Sequence, residues 1–306
     1  MKVAIIAPGR NVAVWKKIIE QHNQMVQVEI YPDISHRDDI EMVMLWQHPS
    51  GILKDFKNLK FISSMGAGVD HILKDPDVSS DIPITRVKDD QLTFSMTNYV
   101  IMGILNHHRR LNHFADNKKN KNWDMTMPEV DVKIGVMGVG ELGGDVLDKL
   151  KYMGFRVAGY GYSKKASIPY PYYYGDQLAD FLRQVNVVVC LLPLTPKTEG
   201  IMDNKFFEQC QTGTYIINVA RGKHLVEEDL MEALVSGKIS GALLDVYRKE
   251  PLPETHPFWE HPAIMMTPHI ASVTNPEAAA PQIAENCSRF LANKPLNNII
   301  DRNKGY

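Results

Sequence analysis

The stretch Val132-Lys133-Ile134-Gly135-Val136-Met137-Gly138-Val139-Gly140-Glu141-Leu142-Gly143-Gly144 decides the fold. Its first half is apolar and β-branched, as a buried strand requires, and its second half reads G-x-G-x-x-G. Asp145-Val146-Leu147-Asp148-Lys149-Leu150 follows with helical spacing. Strand, glycine turn and helix N-terminus together are the context of a dinucleotide site. Gly138 permits the tight turn, Gly140 lets a pyrophosphate approach the backbone, and Gly143 lets helix and strand pack closely. The unpaired N–H groups at the helix start would then face the phosphates.

On the C-terminal side the same rhythm continues. Strands are expected at 155–160, 186–192, 214–219, 239–246 and 263–267, with helices at 176–184, 204–211, 226–237 and 274–292. The Tyr170–Tyr174 cluster reads as a surface loop. On the N-terminal side the apolar runs 2–7, 26–30, 42–46 and 59–64 read as strands of a separate unit, the second edge-like and the third central. Residues 90–117 carry one long helical pattern that crosses from the first domain to the next. Trp123 sits in the lysine-rich run 117–123, where a large aromatic calls for a covering partner.

Bulk composition fits this reading. The 306 residues suffice for two cores, and 44% apolar with 23% charged residues is ordinary for a globular chain. A net charge of −2 argues against nucleic acid or an anionic membrane as the main partner. Three cysteines without metal-ligand spacing suit a reducing compartment, and no metal site is expected. No run approaches the ~18 apolar residues of a membrane span, and the expectation is a cytoplasmic protein.

An NAD-preferring unit places an acid about 20 positions past its glycines, to bond the ribose 2′-OH. Here the region reads Tyr160-Gly161-Tyr162-Ser163-Lys164-Lys165. A hydroxyl and two ammonium groups suit a 2′-phosphate, so NADP(H) is expected over NAD(H), with NAD(H) as the possible substitute.

Three further residues make a chemical set. Arg221 lies just past a strand, in Asn218-Val219-Ala220-Arg221-Gly222. Glu250 lies in the Pro-stiffened loop after Asp245, and His269 follows the last strand in Thr267-Pro268-His269. Taken singly, each has an ordinary structural reading. All three fall at one edge of one parallel sheet, where such folds bind ligands. Reducing a 2-oxo acid needs a cation for the carboxylate and ketone, and an acid for the new alkoxide. Arginine suits the first task and a carboxylate-paired histidine the second.

With these motifs together, the chain resembles the D-isomer-specific 2-hydroxyacid dehydrogenases, and within them the glyoxylate/hydroxypyruvate reductases. The resemblance rests on Gly66-Ala67-Gly68-Val69-Asp70, Gly138 to Gly143, Leu192-Pro193-Leu194-Thr195-Pro196, Asn218 to Gly222, Asp245 with Glu250-Pro251-Leu252, and Pro268-His269. It implies an α/β chain of two doubly wound parallel-sheet domains. These would be a flavodoxin-like substrate domain, 1–98 with 273–306, and a Rossmann nucleotide domain, 99–272. It implies catalytic Arg221, Glu250 and His269, with the substrate carboxylate on the amides of Ala67 and Gly68. Gly66, Met65 and Trp46 join Arg221 in the candidate substrate set, Trp46 and Met65 as walls favouring two- and three-carbon acids. The candidate cofactor set is Gly138, Gly140, Glu141, Leu142, Gly143, Ser163, Lys164, Lys165, Leu192, Pro193, Thr195, Val219, Asp245, His269 and Ser272, with Asp245 placed on the nicotinamide carboxamide. A homodimer is also implied, which would give Trp123 its partner. Thr97-Asn98-Tyr99 departs from the family pattern, which carries an acid before the tyrosine.

The expected activity is NADPH-dependent reduction of glyoxylate and hydroxypyruvate. The alternatives are a larger 2-oxo acid such as pyruvate or phenylpyruvate, and a non-catalytic dinucleotide sensor on the same scaffold. Glu250 disfavours formate oxidation, whose enzymes place glutamine there.

Overall fold

The computed structural model describes residues 1–302. They divide into two compact units, Met1–Leu92 with the segment from Thr274 onward, and Thr93–Val273. In chain order the elements begin with β1 (Lys2–Ile6), α1 (Ala13–His22), β2 (Gln27–Ile30), β3 (Ile40–Leu45), β4 (Phe61–Ser64), α2 (Asp70–Leu73), β5 (Ile84–Thr85) and α3 (Asp90–His108). Then come α4 (Leu111–Lys119), β6 (Lys133–Met137), α5 (Glu141–Tyr152), β7 (Arg156–Gly161), β8 (Tyr172–Tyr174), α6 (Leu178–Gln184), β9 (Val187–Cys190) and α7 (Asn204–Gln209). The chain closes with β10 (Thr214–Asn218), α8 (Glu227–Val235), β11 (Ile239–Leu244), β12 (Ile264–Met266) and α9 (Pro276–Leu291).

The first unit holds a parallel sheet in the order β2-β1-β3-β4-β5. Successive strand residues point to opposite faces, so a sheet covered on both sides needs apolar residues at every position. Val3 and Ile5 join Met42, Met44, Trp15, Ile19 and the α9 residues Ala279, Ala280, Ile283, Ala284 and Cys287 in one core. Ala4 and Ile6 join Val43, Leu45, Ile62 and Ile72 in the other. Each fully buried aliphatic side chain contributes roughly 1.5–3 kcal/mol, so α9 is an integral part of this unit. Its start is fixed by Pro276 in the first turn and by Asn275 Oδ1, which accepts the Glu277 amide at 3.0 Å.

The second unit holds seven parallel strands in the order β12-β11-β10-β9-β6-β7-β8. One face packs Met137, Val188, Ile216 and Leu244 against Phe181, Phe206, Phe207 and Leu230. The other packs Val136, Val189, Ile217 and Leu243 against Val100, Ile104, Val146 and Leu147 of α3 and α5. Cys190 lies fully buried in the first of these faces, as its place in an apolar strand requires. The order reverses between β6 and β9, the position at which an open α/β sheet forms its ligand crevice. The turns leaving β6, β9, β10, β11 and β12 all emerge at that end.

Two expectations are corrected. The long pattern at 90–117 is not one helix. It breaks at Arg110, which takes the left-handed backbone (φ 54°) and donates its guanidinium to the carbonyls of Thr126 (3.3 Å) and Met127 (2.5 Å). The tyrosine cluster is not a loop either, because Tyr172–Tyr174 pairs beside Gly159–Gly161 as the edge strand β8. The short strand β5 gave no apolar run long enough to be read from sequence.

Candidate active site

The glycine turn is built around a backbone that side chains cannot occupy. Gly138 has φ +98°, and a Cβ there would lie 2.5 Å from the Leu191 carbonyl. A Cβ on Gly143 would lie 2.1 Å from the Gly138 carbonyl oxygen, so helix α5 abuts its own turn. Gly140, which precedes α5, is different: a Cβ there would meet nothing within 4 Å. No side chain caps this helix start. The first turn of α5, with Glu141 and Leu142, therefore starts beside a glycine that has room at its side, which fits a pyrophosphate.

Past β7, Ser163, Lys164 and Lys165 are all exposed. The Lys165 ammonium reaches back and donates to the Val139 carbonyl, within the glycine turn. Tyr172 donates its hydroxyl to the Ser163 carbonyl at 2.8 Å, pinning this loop to β8. Positive charge thus stands next to the turn on a carbonyl instead of a carboxylate, and the set fits a 2′-phosphorylated dinucleotide.

The loop after β9 carries Leu192, Pro193 and Thr195. Leu192 is buried, and Thr198 Oγ1 closes the loop by donating to the Pro193 carbonyl at 2.7 Å while accepting the Thr195 amide at 2.8 Å. His224, fully buried, places its ring nitrogens 3.3 Å from the Pro193 carbonyl and 3.1 Å from the Arg221 carbonyl.

After β10, Val219 is buried. Asn218 shapes the turn by donating to the Arg221 carbonyl at 3.1 Å and accepting the Ala220 amide at 3.3 Å. Arg221 is half-buried and donates to the Ala220 carbonyl at 2.7 Å. A Cβ on Gly222 would fall 1.8 Å from the Tyr247 carbonyl carbon, so this turn lies backbone to backbone on the loop after β11.

That loop supplies Glu250. Its Oε2 lies 2.8 Å from His269 Nδ1, and its Oε1 accepts the Tyr247 amide at 3.0 Å. Burial pushes the Glu250 carboxyl up, but the hydrogen bonds from His269 and Tyr247 and the charges of His269 and Arg221 outweigh it. The group is held below its ordinary value. An ionised carboxylate only accepts, so Nδ1 carries the hydrogen between the two and Nε2 is the nitrogen outside this pair.

Asp245 is 1% exposed and is engaged by the chain itself. Its Oδ1 accepts from the Thr267 hydroxyl (2.6 Å) and the Ile270 amide (2.8 Å), and its Oδ2 from the Ala271 amide (2.8 Å). A carboxylate offers about four acceptor sites, which leaves one for a ligand N–H. Ser272, next in the chain, is half-buried.

The remaining candidates lie in the first unit. Ser64 Oγ donates to the Gly68 carbonyl at 2.7 Å and accepts the Gly66 amide at 3.3 Å, bending the glycine loop after β4. Among the described residues, the amides of Ala67 and Gly68 bond no acceptor. Such a pair suits a carboxylate. A Cβ on Gly66 would meet the Trp46 ring at 3.1 Å, so the indole lies against the loop. Met65 is buried in the core beneath (3% exposed) instead of lining open space. Arg10 stacks over Trp46 with its guanidinium 4.4 Å from the ring centroid, and His71 flanks the ring at 5.3 Å. Neither was picked out by sequence reasoning. No group of three or more metal-ligating side chains occurs among the described residues.

Comparison with known proteins gives the family. A family model for the D-isomer specific 2-hydroxyacid dehydrogenase NAD binding domain matches residues 101–271. Glyoxylate/hydroxypyruvate reductase A of Photorhabdus laumondii is 35% identical over 316 aligned positions, covering 100% of both chains. A D-isomer specific 2-hydroxyacid dehydrogenase from Xanthobacter autotrophicus Py2, solved in complex with NADPH and MES, superposes with a TM-score of 0.93. It has 32% identity over 100% of this chain and 99% of that one. An NADPH-dependent glyoxylate/hydroxypyruvate reductase from Sinorhizobium meliloti, solved with NADP and sulfate, gives 0.91 at 32% identity, with 100% and 99% covered. With two parallel-sheet units and a relationship that runs the whole length, the chain belongs to the D-isomer specific 2-hydroxyacid dehydrogenase family.

Proposed function

We propose that this protein reduces glyoxylate and hydroxypyruvate to their 2-hydroxy acids, with NADPH as the preferred reductant and NADH as the weaker one. The observation that carries the reading is the His269–Glu250 pair at 2.8 Å, at the sheet edge that also carries Arg221. When bound, the dinucleotide supplies the hydride.

The chain's own residues do the rest. Arg221 holds the anionic substrate and polarises its ketone oxygen through a planar fork of N–H donors. His269 gives its Nε2 proton to that oxygen as negative charge develops there, and Glu250 holds the ring by Nδ1. Gly138, Gly140, Gly143 and the first turn of α5 bind the pyrophosphate. Ser163, Lys164 and Lys165 bind the 2′-phosphate. Leu192, Pro193, Thr195, Val219 and Ser272 line the nicotinamide side, and the remaining acceptor site of Asp245 takes the carboxamide N–H. In the first unit, which serves as the substrate domain, Ala67 and Gly68 donate amides to the carboxylate and Trp46 limits substrate size.

Two further assignments belong to the same reading. The protein works as a homodimer, supported by Trp123, Met125 and Met127, which are 91%, 79% and 73% exposed on one segment. It works in the cytoplasm, supported by three free, buried cysteines.

The test is an initial-rate screen of glyoxylate, hydroxypyruvate, pyruvate and phenylpyruvate, each with NADPH and with NADH. Fast turnover of the two small acids with NADPH is expected. Turnover confined to phenylpyruvate would overturn the substrate assignment, and tight cofactor binding without turnover would overturn the activity.

A further inference from the structure

His269 sits in the left-handed backbone region with φ 57°, a conformation that a side chain with a Cβ adopts only at a cost. Something must hold it there, and the surrounding hydrogen bonds show what does. The His269 amide donates to the Asp245 carbonyl at 2.8 Å, and the next two amides are gripped by the Asp245 carboxylate. The Thr267 carbonyl accepts the Tyr247 hydroxyl at 3.0 Å. The Thr267 hydroxyl donates to Asp245 Oδ1 at 2.6 Å and also touches the Tyr99 hydroxyl.

The direction of this last contact follows from proton counting. A threonine hydroxyl has one hydrogen, and an ionised carboxylate has none. Thr267 therefore spends its hydrogen on Asp245, and Tyr99 must donate to Thr267. The result is a directed chain from the Tyr99 hydroxyl, through Thr267, to Asp245, in which each bond polarises the next. Tyr99 belongs to α3, where its neighbour Thr97 donates to Asp145 Oδ2 of α5 at 2.6 Å. Burial pushes the Tyr99 phenol up to about 12, so it stays a neutral donor across the working pH range.

We propose that Tyr99 and Thr267 are positioning residues for His269, fixing through Asp245 the loop that presents Nε2 to the substrate. The inference rests on the assignment of His269 as proton donor and goes beyond it, because neither hydroxyl touches a reacting atom. The titratable and charged groups around the loop are Glu250, Arg221, Asp245, Tyr247 and Tyr99. Loosening the loop lets the His269 ring drift from Glu250, which lies 2.8 Å from its Nδ1.

The experiment compares Thr267→Val, Thr267→Ser and Tyr99→Phe with the wild type in full-length protein. Two readouts are taken: kcat and KM for glyoxylate, and the NMR signal of the His269 Nδ1 hydrogen held by Glu250 in the cofactor-free protein. Thr267→Val and Tyr99→Phe should each lower kcat roughly tenfold with KM within about twofold. They should also weaken or shift that signal, and Thr267→Ser should restore both readouts. A merely structural role would reduce the fraction of active protein without moving the signal of the folded remainder, and that outcome overturns the proposal, as does unchanged kcat in both variants. A wild type that turns over no 2-oxo acid would overturn the proton-donor assignment instead, while the NMR signal would still report whether the hydroxyl chain positions the ring.

Discussion

His269 Nδ1 and Glu250 Oε2 lie 2.8 Å apart, and the other carboxylate oxygen of Glu250 is taken by the Tyr247 amide. Both oxygens are thereby committed to the chain. Glu250 is placed to orient the histidine ring.

Replacing Glu250 by glutamine keeps the shape and removes the charge. The imidazolium then loses the anion that faces its Nδ1, so turnover at pH 7 should fall about tenfold or more, as steady-state rates would show. Stability gives a second reading. The Glu250 carboxyl titrates below its ordinary value in the folded protein. Its contribution is therefore present above about pH 4.5, the ordinary glutamate range, and is lost as the pH falls through the lowered value. The wild type should accordingly unfold at a higher temperature than Glu250→Gln at pH 7, and the gap should close in acid.

Arg221→Lys keeps the charge and discards the planar fork. The two N–H bonds that a guanidinium can present to a carboxylate or ketone are lost, so kcat/KM for glyoxylate should fall on the order of a hundredfold. Steady-state rates settle this. A loss under threefold would show that point charge alone suffices at position 221.

The basic loop makes a cofactor-specific prediction. Lys164→Ala combined with Lys165→Ala should raise the KM for NADPH about tenfold or more and leave the KM for NADH within about twofold. Equal losses for both cofactors would mean that Lys165 acts by bracing the Val139 carbonyl in the glycine turn and not by reading the 2′-phosphate.

The strands and the glycine turn were legible because buried parallel strands must be apolar on both faces, and Gly138 and Gly143 stand where no side chain fits. Arg221, Glu250 and His269 were legible as ionisable residues just past strand ends, and the structure pairs the last two at 2.8 Å. What the sequence hid was assembled by contacts distant along the chain. Tyr99 and Thr267 are 168 positions apart, and nothing local marks either hydroxyl as half of a pair. The break at Arg110 was hidden in the same way, since the carbonyls that accept its guanidinium lie 16 and 17 positions on. Tyr172–Tyr174 was misjudged because an edge strand of three residues carries too little periodicity to separate it from a loop.

The contact between Gly222 and Tyr247 has a consequence for anyone reshaping this protein. With no room even for a methyl group between the two backbones, the arginine-bearing turn and the glutamate-bearing loop behave as one machined part. An insertion or a bulkier residue in either shifts both charges at once, so the spacing of cation and carboxylate cannot be retuned a little at a time. Libraries aimed at new substrates should leave positions 221–222 and 247–250 fixed.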